Sequence, residues 1–402
     1  MPLILTPLLT VVLTPSDYGY LGIATIIVSL LRIVIGFNPS LFLITKYFTL
    51  SKDQLSKYYT NIFAVIFLTF LVVMSIFTLT VSVLFARYKL DFLLLLILSL
   101  TSAFMVVESL ILVQFQMEKK AKSFLKYSLI SSGLQLCLIL VSVVILKLGW
   151  KGKLFADLLS ELIIFFVLIQ YLIKSNLISR EVSKSYLKGF VSFSLPLLPH
   201  STSIWIMNFI DRFILGQFVG ISEVGQYTVA YNFGLGLSLL FDALQRVWQP
   251  YFYEYIQKED SIIKAKIVKL TWIYYFLSFV VFGILQLLVV TLFPLIIGKS
   301  FEKAMVYLPL IFLGYTFQGM YRGIASYLYY LNKTTLLMTI TVSSAIMNIV
   351  LDVVLIKQNG TIGAAQATCI TYIISFLAVQ LAVLKIYDMP WFSFSKILKK
   401  SK

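Results

Sequence analysis

Twelve apolar stretches, separated by short charged or turn-forming segments, constrain this chain more than any other feature. They lie near residues 2–14, 18–44, 59–85, 92–114, 128–148, 154–173, 190–215, 227–247, 269–297, 305–330, 335–356 and 363–386. All but the first are about 20 residues or longer, the length at which a helix crosses the roughly 30 Å hydrocarbon core of a bilayer. The runs are continuous rather than alternating, unlike the strands of a membrane barrel. Hydrophobic residues make up 60% of the chain and charged ones only 12%, against about 45–50% and about 25% in soluble domains. So much apolar surface cannot be hidden inside a soluble fold and has to face lipid. The expected fold class is an all-α polytopic membrane protein with about twelve transmembrane helices.

The chain carries 33 Lys and Arg against 17 Asp and Glu, a net charge of +16. In a soluble protein that excess would indicate nucleic acid. Between transmembrane helices it is what cationic cytoplasmic loops produce, so no nucleic-acid partner is expected. A cytoplasmic N-terminus places twenty basic residues in inner loops, such as Lys119, Lys120, Lys122 and Lys126, and nine in outer loops, among them Arg87, Lys89 and Lys303. Both termini are accordingly expected in the cytoplasm. Cys137 and Cys369 each lie within an apolar run, and His200 is the one histidine. Neither a disulfide framework, a metal site nor a cofactor is therefore expected. The sequence has no Walker A loop, G-x-S-x-G elbow or H-E-x-x-H motif, so the chain is expected not to be an enzyme. Transport would draw on an ion gradient, the membrane potential or the substrate gradient.

The halves echo each other. Ser16-Asp17-Tyr18-Gly19 aligns with Ser222-Glu223-Val224-Gly225 at an offset of 206, about half the chain. That is the spacing of a parallel six-plus-six repeat, whose two bundles and intervening cavity suggest alternating access. The expected organisation is an N-terminal lobe over 1–175, a cytoplasmic linker over 176–189, a C-terminal lobe over 190–388 and a basic cytoplasmic tail over 389–402. The polar connections near 174–189 and 248–268 read as short amphipathic helices at the interface. The first span departs from the rest. Thirteen residues reach about 20 Å, short of the bilayer core, and Pro7 interrupts their hydrogen-bond ladder. The first helix is expected to be truncated, beginning at residue 2 or 3 and covering only the outer half of its lobe, with roughly 20 residues missing upstream.

Charges inside spans cost roughly 2.5–3.5 kcal/mol each on insertion scales and usually face a cavity or a partner. They are Arg32, Glu108, Asp157, Glu161, Asp211, Arg212, Asp242, Arg246, Arg322 and Asp352. Arg32 and Arg322 lie deep in their spans with no acid within one helical turn, as cations in an aqueous cavity would. A guanidinium binds phosphate bidentately, so an anionic lipid headgroup is the natural ligand. Arg246 and Arg212 extend this candidate binding set. Asp242 and Arg246 are four apart and could neutralise each other. Asp157 and Glu161 share a helix face and could carry a coupling proton, or face the outer water. His200 could titrate near neutral pH, or simply pack. Asp211 joins the coupling candidates, although with Arg212 it also reads as a pair at the outer end of the seventh span.

Short pieces in order along the chain carry a resemblance. They are Pro7-Leu8-Leu9 with Leu13-Thr14-Pro15-Ser16-Asp17-Tyr18-Gly19, then Leu195-Pro196-Leu197-Leu198-Pro199-His200, Asp211-Arg212, Val224-Gly225-Gln226-Tyr227 and Trp248-Gln249-Pro250-Tyr251. Gly314-Tyr315, Lys333-Thr334, Asn348 and Gly363-Ala364-Ala365-Gln366-Ala367-Thr368 continue it. The set resembles polysaccharide flippases, of the O-antigen and capsule type, in the multidrug/oligosaccharidyl-lipid/polysaccharide exporter superfamily. The resemblance implies two six-helix, MATE-like lobes in the bacterial inner membrane. It further implies movement of an undecaprenyl-diphosphate-linked oligosaccharide to the outer leaflet, with membrane lipids and polysaccharide polymerase machinery as partners. Members of that family normally begin with a basic segment and a full first helix, which this sequence lacks.

Three rivals remain at this level. A drug or cation antiporter of the same superfamily would want acids in its cavity, and a peptidoglycan-precursor flippase commonly carries extra spans. A membrane glycan polymerase or ligase usually needs a sizeable outer loop, whereas no outer loop here exceeds about a dozen residues.

Overall fold

A computed structural model describes residues 2–84, 91–179, 181–258 and 260–392. Arg87, Lys89, Arg180 and most of the expected basic tail lie outside the described residues. The helices run in order α1 (Pro2–Val12), α2 (Pro15–Gly36), α3 (Pro39–Lys46), α4 (Lys52–Leu84), α5 (Phe92–Met117), α6 (Ala121–Ile139), α7 (Gly149–Lys174), α8 (Lys184–Ser194), α9 (Leu198–Phe218), α10 (Ile221–Ile256), α11 (Ser261–Ile296), α12 (Ala304–Tyr330), α13 (Thr334–Asn359) and α14 (Thr361–Ile386). A π-helical segment, Leu140–Ile145, extends α6. Among the described residues eight helices are long and apolar enough to cross a membrane. The other long helices, α9, α10 and α12, hold Asp211, Arg212, Asp242, Arg246 and Arg322, which lowers their hydropathy. The all-α, multi-pass expectation holds.

Local chemistry sets several boundaries. Thr14 caps α2: its hydroxyl accepts from the Asp17 backbone N–H at 3.2 Å, and its own N–H donates to Asp17 Oδ2 at 3.1 Å. With Pro15 opening the helix, this capping box is the physical content of the Thr-Pro-Ser-Asp motif. Asp91 caps α5 through the Leu94 N–H, and Asp260 caps α11 through the Ile262 N–H. The expected interfacial helix near 248–268 does not form. Instead α10 continues to Ile256 and α11 begins at Ser261.

The chain divides into two compact units. Unit 1 holds Val12–Trp205, and unit 2 holds Pro2–Val11 with Ile206–Lys402. This departs from the expected lobe limits at both ends. The segment read as a linker is bonded to α4 of unit 1. Thr60 Oγ1 donates to the Ser179 carbonyl at 2.7 Å, Asn61 Nδ2 donates to the Glu181 carbonyl at 3.1 Å, and Lys57 pairs with Glu181 at 3.0 Å. The first turns of α9 also stay with unit 1, because Trp205 Nε1 donates to Ser29 Oγ of α2 at 2.8 Å and Asn38 Nδ2 donates to Ser201 Oγ at 3.0 Å. In unit 2, α12 packs most extensively against α14 and α10. Lipid-facing surfaces are plain on α11, where Leu287 is 73% and Leu295 80% exposed, a contiguous apolar exposure that soluble surfaces avoid.

The short first helix also departs from expectation, since α1 belongs to unit 2. Thr6 Oγ1 accepts from Asn232 Nδ2 of α10 at 3.1 Å. Thr10 Oγ1 accepts from the Gly298 N–H at 3.3 Å while donating to the Pro7 carbonyl at 2.8 Å. A Cβ on residue 298 would lie 2.1 Å from the Thr10 carbonyl oxygen, so only glycine permits this approach. Gly298→Ala should destabilise the protein by about 1–3 kcal/mol, the usual cost of overpacking. Thermal unfolding in detergent would show a lower midpoint; an unchanged midpoint would mean that α1 is not docked there.

Candidate functional site

In unit 1 the second apolar run is not one helix. Gly36 ends α2, Phe37 and Asn38 take left-handed φ angles of 54° and 53°, and Pro39 starts α3. A left-handed non-glycine residue costs of order 1–3 kcal/mol and persists where surrounding structure imposes it. Non-helical backbone at membrane depth is tolerated where it is buried in protein or lines a cavity. Such a cavity is present. It measures about 470 Å³ and is lined by Ser29, Arg32, Asn38, Ser40 and Ser109, with Ile33 and Val106 among its apolar members. The Ser40 and Ser109 hydroxyls are 3.2 Å apart. Arg32 sits one turn before the break and makes no hydrogen bond or ion pair among the described residues. Sequence reading noted the absence of an acid on its own helix. The fold supplies two from elsewhere, Glu161 of α7 and Glu108 of α5, close enough to act on it electrostatically.

Glu161 is 5% exposed, and its Oε2 has no hydrogen-bond partner. The alternative that this carboxylate faces outer water is therefore overturned. Asp157, one turn away, is separately engaged: Lys153 of its own helix forms an ion pair with it, and Gln135 Nε2 of α6 donates to it at 3.0 Å.

Unit 2 carries two further polar groups of side chains. Arg322 of α12 pairs with Asp242 of α10, and its second guanidinium nitrogen donates to Gln318 Oε1 at 3.1 Å. The expected pairing of Asp242 with Arg246 does not occur; Arg246 is exposed and makes no ion pair among the described residues. Arg322 is thus not the unpaired cation anticipated. Deeper lies a buried cluster on α9, α10, α13 and α14. Asp211 is 1% exposed and accepts from Tyr227 Oη at 2.7 Å and from the Arg212 N–H at 2.8 Å. Arg212 is 3% exposed; its guanidinium stacks 3.7 Å from the Tyr231 ring centre and donates to the Asn208 carbonyl. The pair lies within α9 rather than at the outer end of its span, since the helix runs on to Phe218. Asp352 is fully buried with no partner on either carboxylate oxygen, Asn348 Oδ1 is likewise unpartnered, and Asp211 is the charge that acts on Asp352. Sequence reading noted Asp352 as an intramembrane charge without assigning it a role. Its one local signal was an acid four residues after Asn348. His200 of α9 is half-buried, with Nδ1 unpartnered.

No set of three or more His, Cys, Asp and Glu among the described residues could hold a metal. The arrangement offers a guanidinium and hydroxyls in a cavity of mixed polar and apolar lining in one unit, and buried acids in the other.

The whole chain superposes on transporters. A lipid II flippase MurJ in an inward closed conformation matches with a TM-score of 0.73 at 17% identity, covering 99% of this chain and 88% of that one. An inward-facing multidrug resistance MATE family transporter of the MOP superfamily matches with a TM-score of 0.71 at 14% identity, covering 99% and 95%. At these identities the likeness shows the fold. In sequence, the chain is 25% identical over 269 residues to Lsg locus putative protein 1 of Haemophilus influenzae, covering 64% of this chain and 67% of that protein. Residues 8–306 match the family described as polysaccharide biosynthesis protein. A family match of that extent shows that the chain belongs to the polysaccharide biosynthesis protein family.

Proposed function

We propose that this protein flips an undecaprenyl-diphosphate-linked oligosaccharide from the inner to the outer leaflet of the bacterial inner membrane, by alternating access, for assembly of surface polysaccharide. The observation that carries this reading is Arg32, a guanidinium without a hydrogen-bond partner in a hydroxyl-lined cavity beside a broken helix. A diphosphate is the anion such a fork binds best. The Ser40 hydroxyl, beside Ser109, suits a remaining phosphate oxygen, while the prenyl tail stays in lipid. Arg322 and Arg212, already neutralised or stacked within unit 2, hold that unit together rather than take the substrate. The family match favours a polysaccharide precursor over a drug or a peptidoglycan precursor, a choice that the shared fold does not make. Polymerase machinery is the natural recipient of the product.

The energy source follows from the buried acids of unit 2. Asp352 and Asp211, with Asn348 and Thr368, form an oxygen-rich pair without a resident counter-charge on Asp352. A monovalent cation, sodium or a proton, entering there would relieve the like-charge contact and bias the conformational equilibrium.

Charged hydrogen bonds are worth about 1.5–3 kcal/mol, so Arg32→Ala should slow flipping of a fluorescent prenyl-diphosphate glycan in proteoliposomes by about 10- to 100-fold. Arg32→Lys should retain part of the rate. Full activity of the alanine variant would remove the phosphate-binding role. In the same vesicles, Asp352→Asn should abolish acceleration by an imposed sodium or proton gradient, applied separately to identify the ion. An unchanged response to both gradients would rule out coupling at Asp352.

A further inference from the structure

We propose that unit 2 holds one acyl chain of an anionic glycerophospholipid in a slot between α10, α11 and α12, with Arg246 and Lys269 taking the lipid phosphate. The site stands apart from Arg32 and does not depend on the role given to that residue.

The slot measures about 530 Å³ and is lined by α10 from Leu240 to Tyr251, by α11 from Leu270 to Val281, and by Gly323 and Tyr327 of α12. At 1.5 Å per residue the lining runs about 16 Å along each of α10 and α11, half of the roughly 30 Å hydrocarbon core and so the depth of one leaflet. Leu244, Val247, Ile273 and Leu277 of the lining are exposed, so the slot opens sideways to lipid. Its walls ask little of a guest. Gln245 Nε2 donates to Ser326 Oγ at 2.8 Å, Tyr274 Oη to the Gly319 carbonyl at 2.9 Å, and Ser278 Oγ to the Tyr274 carbonyl at 2.7 Å. Walls whose polar groups are already satisfied favour hydrocarbon over water or sugar. A helix about 10 Å across would need about 1,200 Å³ over that length, so a partner's transmembrane helix does not fit.

One end of the slot is polar. The short connection after Ile256 turns the chain back, so Trp248 and Tyr251 of α10 share an end with Leu270 of α11. Trp and Tyr are residues of a membrane interface. The same end carries Lys258, Lys264, Lys266 and Lys269, the basic excess that marks a cytoplasmic face. Lys269 precedes Leu270, and Arg246 lies between Gln245 and Val247, all three neighbours being in the lining. Both cations are exposed, and neither makes an ion pair among the described residues. Tyr327, one turn from the end of α12, is 2% exposed, and its hydroxyl has no hydrogen-bond partner among the described residues. Thr271 stands near it, with its own hydroxyl donating to the Ile267 carbonyl at 2.9 Å. An anionic glycerophospholipid meets all of these features. Its chain spans one leaflet, its ester carbonyl can accept from a tyrosine at the interface, and its phosphate suits the two cations. A prenyl diphosphate offers the anion but no ester carbonyl.

The test is titration of the full-length protein in detergent with dioleoyl-phosphatidylglycerol or dioleoyl-phosphatidylcholine, read by native mass spectrometry and thermal unfolding. The anionic lipid should form a one-to-one complex at least about fivefold tighter than the zwitterionic one, the worth of one basic residue at an anionic surface. It should also raise the unfolding midpoint, as any ligand of the folded state does. Leu244→Trp, which fills the slot, should lose the one-to-one complex with either lipid. Arg246→Gln combined with Lys269→Gln should reduce phosphatidylglycerol to the affinity of phosphatidylcholine. Equal binding of the two lipids by the wild type, or undiminished binding by Leu244→Trp, would overturn the proposal. Displacement of bound phosphatidylglycerol by an equal concentration of undecaprenyl phosphate would overturn it as well, because the slot would then be a prenyl site. Where Leu244→Trp does not fold, phosphatidylglycerol with brominated chains is added instead, since bromine quenches nearby tryptophan. A saturable part of the quenching should disappear in Trp248→Phe, and quenching that is unchanged in that variant overturns the placement.

Discussion

Hydrocarbon offers no hydrogen-bond partners, so each polar group carried into the membrane must find one in the protein, in a ligand or in enclosed water. That constraint orders most of what this structure contains. Where partners are available they are used: the hydroxyl of Thr69 bonds the carbonyl of Ile35 near the end of α2, and Ser375 Oγ donates to Ser344 Oγ across α13 and α14. Among the described residues, Glu161 Oε2, Asn348 Oδ1 and both carboxylate oxygens of Asp352 are among the buried atoms that find none, as are Ser194 Oγ, Thr228 Oγ1 and Gln286 Nε2. The carboxylates are the costliest of these to leave uncompensated.

The two units solve the constraint differently. Unit 1 breaks a helix and opens a cavity beside the break, so its cation faces space. Unit 2 keeps long helices intact and closes its charges inward, with Arg322 on Asp242 and Arg212 on the face of Tyr231. Close packing makes this possible. Gly319 of α12 lies against the ring of Phe241, where a Cβ would come within 2.5 Å, and the resulting approach of α10 and α12 brings the charged pair together.

Much of the architecture was legible because lipid solvation imposes a length and a composition that local sequence displays directly. The apolar runs found the helices, and the Thr14-Pro15-Ser16-Asp17 piece marked where the second begins. The break in the second run, between Gly36 and Pro39, was concealed by the hydrophobicity that runs through residues 18–44. Pairings were less legible. Asp242 chooses Arg322, 80 positions away, over Arg246 four positions away, because helix packing decides which side chains meet and local spacing does not. Arg32 was identifiable as a lone cation on α2. Its relation to Glu108 and Glu161 was not, since it depends on how α2, α5 and α7 pack. Asp211 and Arg212 looked terminal because a charged pair usually ends a span; here α9 runs on to Phe218 and tyrosines enclose them.

The placement of residues 2–11 has a bearing on how the chain can be divided. The polypeptide order and the packing order differ: residues 2–11 precede unit 1 in the chain and pack with unit 2. Two fragments cut between 176 and 189 would therefore not be self-sufficient modules, for the second would lack the helix that fills the groove beside Asn232 and Gly298. The repeat seen in the sequence is consequently no longer a repeat of separable parts.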